Sequence, residues 1–194
     1  MRTTNHATLV IVPGLREHVD NHWQTILAAE SPNARTVPPS SNLSLDERLT
    51  ALDQTLSTVP GRAILVAHSA GVLTTVHWAQ RHPNEIRITG ALLATPPNLD
   101  TALPTGYPAQ HTLAASGWTP TPRRQLPFPS IVAASSNDPL ADPGDVADLA
   151  ASWGSRLIDL GEVGHLNPAS GYGPWPEALE LIRQLAEPPT PPHP

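Results

Sequence analysis

Ala63-Ile64-Leu65-Val66-Ala67 is an unbroken apolar run of strand length, and a helix-patterned segment begins at Ala70. A strand with one face in water alternates apolar and polar residues, whereas a run apolar at every position must be covered on both faces. Parallel strands supply such cover themselves, because each parallel pair needs a long crossover, usually a helix. The chain must therefore provide helices for both sides of a buried parallel sheet.

The flanking segments fit that requirement. Thr8-Leu9-Val10-Ile11-Val12 reads as a first strand, stopped by Pro13-Gly14. A helix is expected after Asn21 as its cap, with Gln24 completing a capping box and Trp23, Ile26 and Leu27 facing inward. A short strand near Arg35–Val37 precedes Pro38-Pro39. Ser44 and Glu47 form the next capping box, ahead of Leu45, Leu49, Leu52 and Leu56 at helical spacing. The helix after the buried strand runs over 70–81 and cannot continue through Pro83. Strands follow near Ile88–Leu93, Ile131–Ala134 and Arg156–Leu160. Between the last two, a helix is capped by Asp142, with Pro143 at its first position and Gly154 beyond its end. A final helix from Trp175-Pro176 buries Leu179, Ile182 and Leu185.

This alternation predicts an α/β fold of about six mostly parallel strands with helices on both faces. The strand order expected is 2-1-3-4-5-6. Residues 1–187 are read as one domain and 188–194, a run dominated by proline, as a disordered tail. The stretch from Pro96 to Pro129 is expected to be an irregular loop with one short helix, too small for a large cap.

Composition closes off several function classes. The 194 residues carry a formal charge of −6 and no basic cluster beyond Arg123-Arg124, so a surface that tracks phosphates has no residues to build it. There is no cysteine, which excludes disulfides, thiolate metal sites and a cysteine nucleophile. Met1–His6 lacks a secretory pattern and Ala7–Val12 is too short to span a bilayer, so a cytoplasmic protein without membrane or nucleic-acid partners is expected. The histidines have no metalloprotease spacing, and the glycines form no dinucleotide or P-loop pattern; neither metal nor cofactor is expected.

Chemistry concentrates where the buried strand ends, at Ala67-His68-Ser69-Ala70-Gly71. A sharp strand-to-helix turn lifts the Ser69 hydroxyl above the sheet, and small residues two before and two after it avoid a clash. The helix N-terminus offers backbone N–H groups to a developing oxyanion, with that of Ala70 the first donor. Serine at this place is also an ordinary helix cap, so partners decide. They come in the order nucleophile, acid, histidine: Asp138 follows the fifth strand and His165 follows the sixth. Asp159 is a rival acid, although it lies within a strand. With strand one between strands two and three, the loop after Pro13-Gly14 meets the elbow, making the Leu15 N–H the second oxyanion donor. His68 is read as structural. His18, His22 and Trp118 are candidates to line a substrate pocket, with Tyr107 and Phe128 as further aromatic walls.

Val12-Pro13-Gly14-Leu15, His22-Trp23, Val66–Gly71, Ser136-Asn137-Asp138-Pro139, Trp153-Gly154, Gly164-His165 and Ser170–Pro176 resemble the small α/β-hydrolase family of serine hydrolases. That family includes the animal retinoblastoma-binding serine hydrolase and many bacterial proteins of undefined substrate. The resemblance implies the same triad, Ser69, Asp138 and His165. The leading reading of these residues is hydrolysis of a small ester (or an amide or thioester) through an acyl-enzyme. Ala70 stands where the family more often has leucine. The Leu-x-Cys-x-Glu motif of the animal protein has no counterpart in a chain without cysteine. The competing reading is a non-catalytic binding or scaffolding protein on the same fold, with the proline-rich tail as a polyproline ligand.

Overall fold

The computed structural model describes residues 7–186; the tail expected at 188–194 lies outside them. Six strands are β1 (Thr8–Val12), β2 (Ala34–Thr36), β3 (Ala63–His68), β4 (Ile88–Ala94), β5 (Ser130–Ala134) and β6 (Arg156–Asp159). They form one sheet in the order β2-β1-β3-β4-β5-β6, as expected, and every neighbouring pair is parallel. The helices are α1 (Trp23–Glu30), α2 (Leu45–Ser57), α3 (Ala70–Arg81), α4 (Gln110–Ala115), α5 (Pro143–Trp153) and α6 (Glu177–Ala186).

The pleat sorts each central strand between two cores. Val10, Val12, Leu65 and Ala67 join the core made with α2, α3 and α5. Leu9, Ile11, Ile64 and Val66 join the core made with α1 and α6. In α2 the four leucines at positions 45, 49, 52 and 56 are all buried. Each contributes roughly 1.5–3 kcal/mol of burial, far more than helix propensity does. Among the described residues no helix is long and apolar enough to cross a membrane.

Local expectations fail where side chains were assigned by spacing alone. The cap of α1 is His22 rather than Asn21: His22 Nδ1 accepts from the Gln24 N–H at 3.1 Å. Gln24 then has another task, its Nε2 donating to the carbonyls of Val12 (3.2 Å) and Val66 (2.9 Å) and so tying the ends of β1 and β3. Ser44 does cap α2, but the Glu47 carboxylate accepts from Ser40, Ser41 and Asn42 instead of closing the box. In α6 the inward residues are Ala178, Leu181, Ile182 and Leu185, while Leu179 is exposed. The 95–129 connection carries one short helix, α4, and no inserted cap domain.

Candidate active site

The ends of β1, β3, β5 and β6 bring together Ser69, Asp138 and His165, with Leu15 and Ala70 beside them. Ser69 leaves β3 with φ 56° and ψ −128°, a left-handed backbone that costs a non-glycine residue about 1–3 kcal/mol. Its N–H is held by the Ala94 carbonyl at 3.0 Å, and α3 starts at the next residue. Close contact on two sides holds the turn. A Cβ at Gly71 would lie 2.0 Å from the Val12 carbonyl oxygen, and one at Gly14 would lie 3.1 Å from Ser69 Cβ.

Opposite Ser69 stands His165, its Nε2 2.8 Å from Ser69 Oγ. Its Nδ1 is 2.8 and 3.0 Å from the two oxygens of Asp138. A carboxylate can only accept here, so Nδ1 carries the proton and Nε2 is left to accept from the Ser69 hydroxyl. The side chains of His165 and Asp138 are only 6% and 3% exposed, which keeps water from competing for these bonds. Asp138 is fixed in turn by the Leu140 N–H, which donates to Oδ1 at 2.9 Å. Asp159 is exposed and accepts from the Gly161 N–H at 2.8 Å, so the rival acid does not reach the imidazole.

The backbone of His165 is held as firmly as its ring. Ser170 Oγ accepts from the His165 N–H at 3.0 Å, and Asn137 Oδ1 accepts from the Gly164 N–H at 2.6 Å. On the other side, His68 Nε2 donates to the His165 carbonyl at 2.9 Å. His68 is thus structural, as expected, and its task is to seat the loop that carries His165. Asn137 and Ser170 were not foreseen; small polar residues in loops give no sequence signal until their partners are known.

Ser69 and His165 open on a cavity of about 100 Å³. Its wall includes Leu15, Val19, Leu99, Leu103, Tyr107 and Leu140. Leu15 and Ala70 both line it, and among the described residues neither N–H has an acceptor. His22 lines it too. Burial, with the nearby charge of His165 adding to it, pushes His22 down to about 4. Burial likewise holds His68 well below the usual histidine range, with His165 and then His22 adding to it. Both rings therefore stay neutral beside His165.

Two expected pocket residues are elsewhere. His18 has a side chain 66% exposed and turned toward Asp20, 3.3 Å away, because it projects from the surface of the loop before α1. Trp118 is fully buried in the α2–α3 core, where its indole N–H donates to the Leu43 carbonyl at 2.7 Å. Phe128 is buried in the same core. Of the aromatic residues proposed in the long connection, Tyr107 alone lines the cavity.

The model of the serine hydrolase family matches residues 9–184, nearly all of the described chain. The chain belongs to the serine hydrolase family. Among solved structures, this serine hydrolase is similar to a protein described as a YdeN-like hydrolase from Pectobacterium atrosepticum. The two are 28% identical, with a TM-score of 0.77 over 93% of this chain and 91% of the other. The ydeN product of B. subtilis is 18% identical, with a TM-score of 0.66 over 93% and 98% of the two chains. A thermophilic esterase from Thermogutta terrifontis is 14% identical, with a TM-score of 0.60 over 94% and 91%. Likeness at these last two identities is of fold alone, and the fold is the α/β-hydrolase fold in a compact form. No curated protein matches the chain.

Proposed function

We propose that this serine hydrolase cleaves esters of compact acyl groups through an acyl-enzyme. The observation that carries the reading is the hydrogen-bonded line from Ser69 Oγ through His165 to Asp138, ending at the cavity.

In this reading His165 Nε2 takes the hydroxyl proton as Ser69 Oγ attacks the carbonyl carbon. Asp138 keeps Nδ1 protonated and stabilises the imidazolium that results. The N–H groups of Leu15 and Ala70 bind the oxyanion, Ala70 with the positive end of α3 behind it. His165 then returns the proton to the leaving alcohol. In the second half it deprotonates a water that attacks the acyl carbon, then gives that proton to Ser69 Oγ as the acyl–Oγ bond breaks, which frees the acid and restores Ser69. Neutral His22 and His68 favour this cycle, because a second cation beside His165 would oppose the imidazolium.

The apolar wall and small volume support a short acyl group, since sites for drug-sized ligands span roughly 300–1,000 Å³. Amides and thioesters pass through the same tetrahedral intermediate and are the related substrates to compare. Labelling by a fluorophosphonate probe tests the reading. Wild type should react and Ser69→Ala should not, with ester turnover lost by about five to six orders of magnitude. A folded wild type inert to the probe, or a Ser69→Ala variant that retains ester hydrolysis, refutes it.

A further inference from the structure

Arg48 lies on α2, outside every motif named above, yet its side chain is 8% exposed and reaches the loop beside Ser69. Burying a guanidinium is costly unless its donors are matched, so its partners are informative. Nη1 donates to the Gly14 carbonyl at 3.3 Å, and Nη2 pairs with the Glu17 carboxylate. The guanidinium lies over the ring of Trp118, with Cζ 5.8 Å from its centroid. Nε has no acceptor among the described residues. A side chain kept charged and incompletely matched in this place is a poor stabiliser, and an apolar residue would cover Trp118 as well.

The turn it grips is specific. The Gly14 carbonyl also accepts from the Glu17 N–H at 3.1 Å, closing residues 14–17 into a turn. Glu17 has φ 56°, and its carboxylate accepts from the Ser40 N–H at 3.3 Å as well as from Arg48. The turn is therefore fastened to α2 at the Gly14 carbonyl and at the Glu17 side chain.

A trans peptide is planar, so the C=O of Gly14 and the N–H of Leu15 point in opposite directions from one rigid unit. With the carbonyl drawn toward Arg48, the N–H leaves on the other side. Gly14 lies directly against Ser69, with a Cβ at Gly14 falling 3.5 Å from Ser69 Oγ, and Gly14, Leu15 and Ser69 line one cavity. A cation on the carbonyl oxygen also polarises the amide and strengthens its N–H as a donor.

We propose that Arg48 is a positioning residue for the oxyanion hole: by holding the Gly14 carbonyl it aims and polarises the Leu15 N–H toward the substrate oxygen. The inference rests on Ser69 being the nucleophile, as argued above. Glu17 is the second half of the device, keeping the guanidinium in the plane that reaches Gly14.

The test compares a p-nitrophenyl ester with its thiono counterpart, whose C=S sulfur is a weak hydrogen-bond acceptor and draws little from oxyanion donors. Arg48→Met should lower kcat on the ester by about 10- to 100-fold with KM little changed. That falls short of the about 100- to 1,000-fold expected for outright loss of a donor. The thiono ester should lose far less, so the ratio of the two rates drops. Arg48→Lys, which keeps a cationic donor, should recover part of kcat and of the ratio. Because Arg48→Met leaves Glu17 unpaired, the double variant R48M/E17Q is measured beside it and should show the same fall in the ratio. Equal losses on both esters in a folded variant, or a wild-type kcat, overturn the role of Arg48 while fluorophosphonate labelling of Ser69 still stands. Absence of that labelling in wild type overturns the parent reading and this one with it.

Discussion

A methyl group added at Gly71 would sit 2.0 Å from the Val12 carbonyl oxygen, 2.7 Å from that of Pro13 and 2.8 Å from the Val12 carbonyl carbon. All three are backbone atoms, so no change of rotamer relieves the overlap. Reaching even 3.0 Å requires the start of α3 and the end of β1 to separate by about 1 Å. β1 is paired on both edges and α3 is buried along its first turns, so neither can yield alone. Gly71→Ala should therefore cost about 3 kcal/mol or more, at or above the upper end for overpacking a core. The displaced segment continues directly into Gly14-Leu15, while Ser69 moves with α3. A relative shift of about 1 Å there should lower kcat by about 100-fold. Urea unfolding followed by tryptophan fluorescence measures the first effect. Hydrolysis of p-nitrophenyl acetate, at a temperature where the variant is folded, measures the second. Gly144→Ala is the matched control: beyond its chain neighbours and its own helix backbone no atom lies within 4 Å of a Cβ there, and its φ is not positive. That methyl group should stabilise α5 by about 0.5 kcal/mol and leave turnover unchanged. If Gly71→Ala were as stable and active as wild type, the argument from close approach would be wrong.

Asp138→Asn should cost about four decades in kcat by favouring the wrong tautomer of His165, whereas Asp159→Asn should be near wild type; the reverse ranking in steady-state kinetics would overturn the assignment. His22 is held at about 4, against about 6.5 in an unfolded chain, so the unfolded state alone takes up a proton between these values. Its contribution is therefore complete above pH 6.5 and is lost as pH falls toward 4, by on the order of 3 kcal/mol. His22→Asn, which keeps a capping oxygen, should flatten that part of a pH series of urea midpoints; an unchanged slope would refute it. Across p-nitrophenyl esters, acetyl and butyryl should give higher kcat/KM than palmitoyl, and a maximum at long chains would contradict the compact cavity.

What could be read in advance was what depends on neighbours in sequence. The limits of α3 follow from Ser69 before it and Pro83 beyond it, and the leucines of α2 report their own burial through their spacing. The order of Ser69, Asp138 and His165 was legible because each follows a strand. The errors share a different cause. Asn21 is the cap the sequence predicts for α1, and only the bond from the Gln24 N–H to His22 Nδ1 moves the cap one residue on. Trp118 is a pocket candidate as an aromatic residue of the long connection near the strand ends, yet an indole that reaches the Leu43 carbonyl belongs in the core. Arg48 carried no local mark at all, since its partners Gly14 and Glu17 are 34 and 31 residues away.

The loop around His165 has a consequence for how the protein comes into being. Apart from Ser170 within the loop itself, its anchors Ser69, His68, Asn137 and Asp138 precede it in the chain, and α6 must still cross back so that Leu185 lies against Gly90 in β4. During synthesis Ser69, the proposed nucleophile, is therefore laid down 96 residues before His165, the base proposed to activate it. On the proposed mechanism a nascent chain carries an inert Ser69 until β6, the His165 loop and α6 have emerged from the ribosome. Labelling of Ser69 by a fluorophosphonate probe would then begin only once α6 has closed over the sheet, so that its onset on stalled chains of graded length would time that closure.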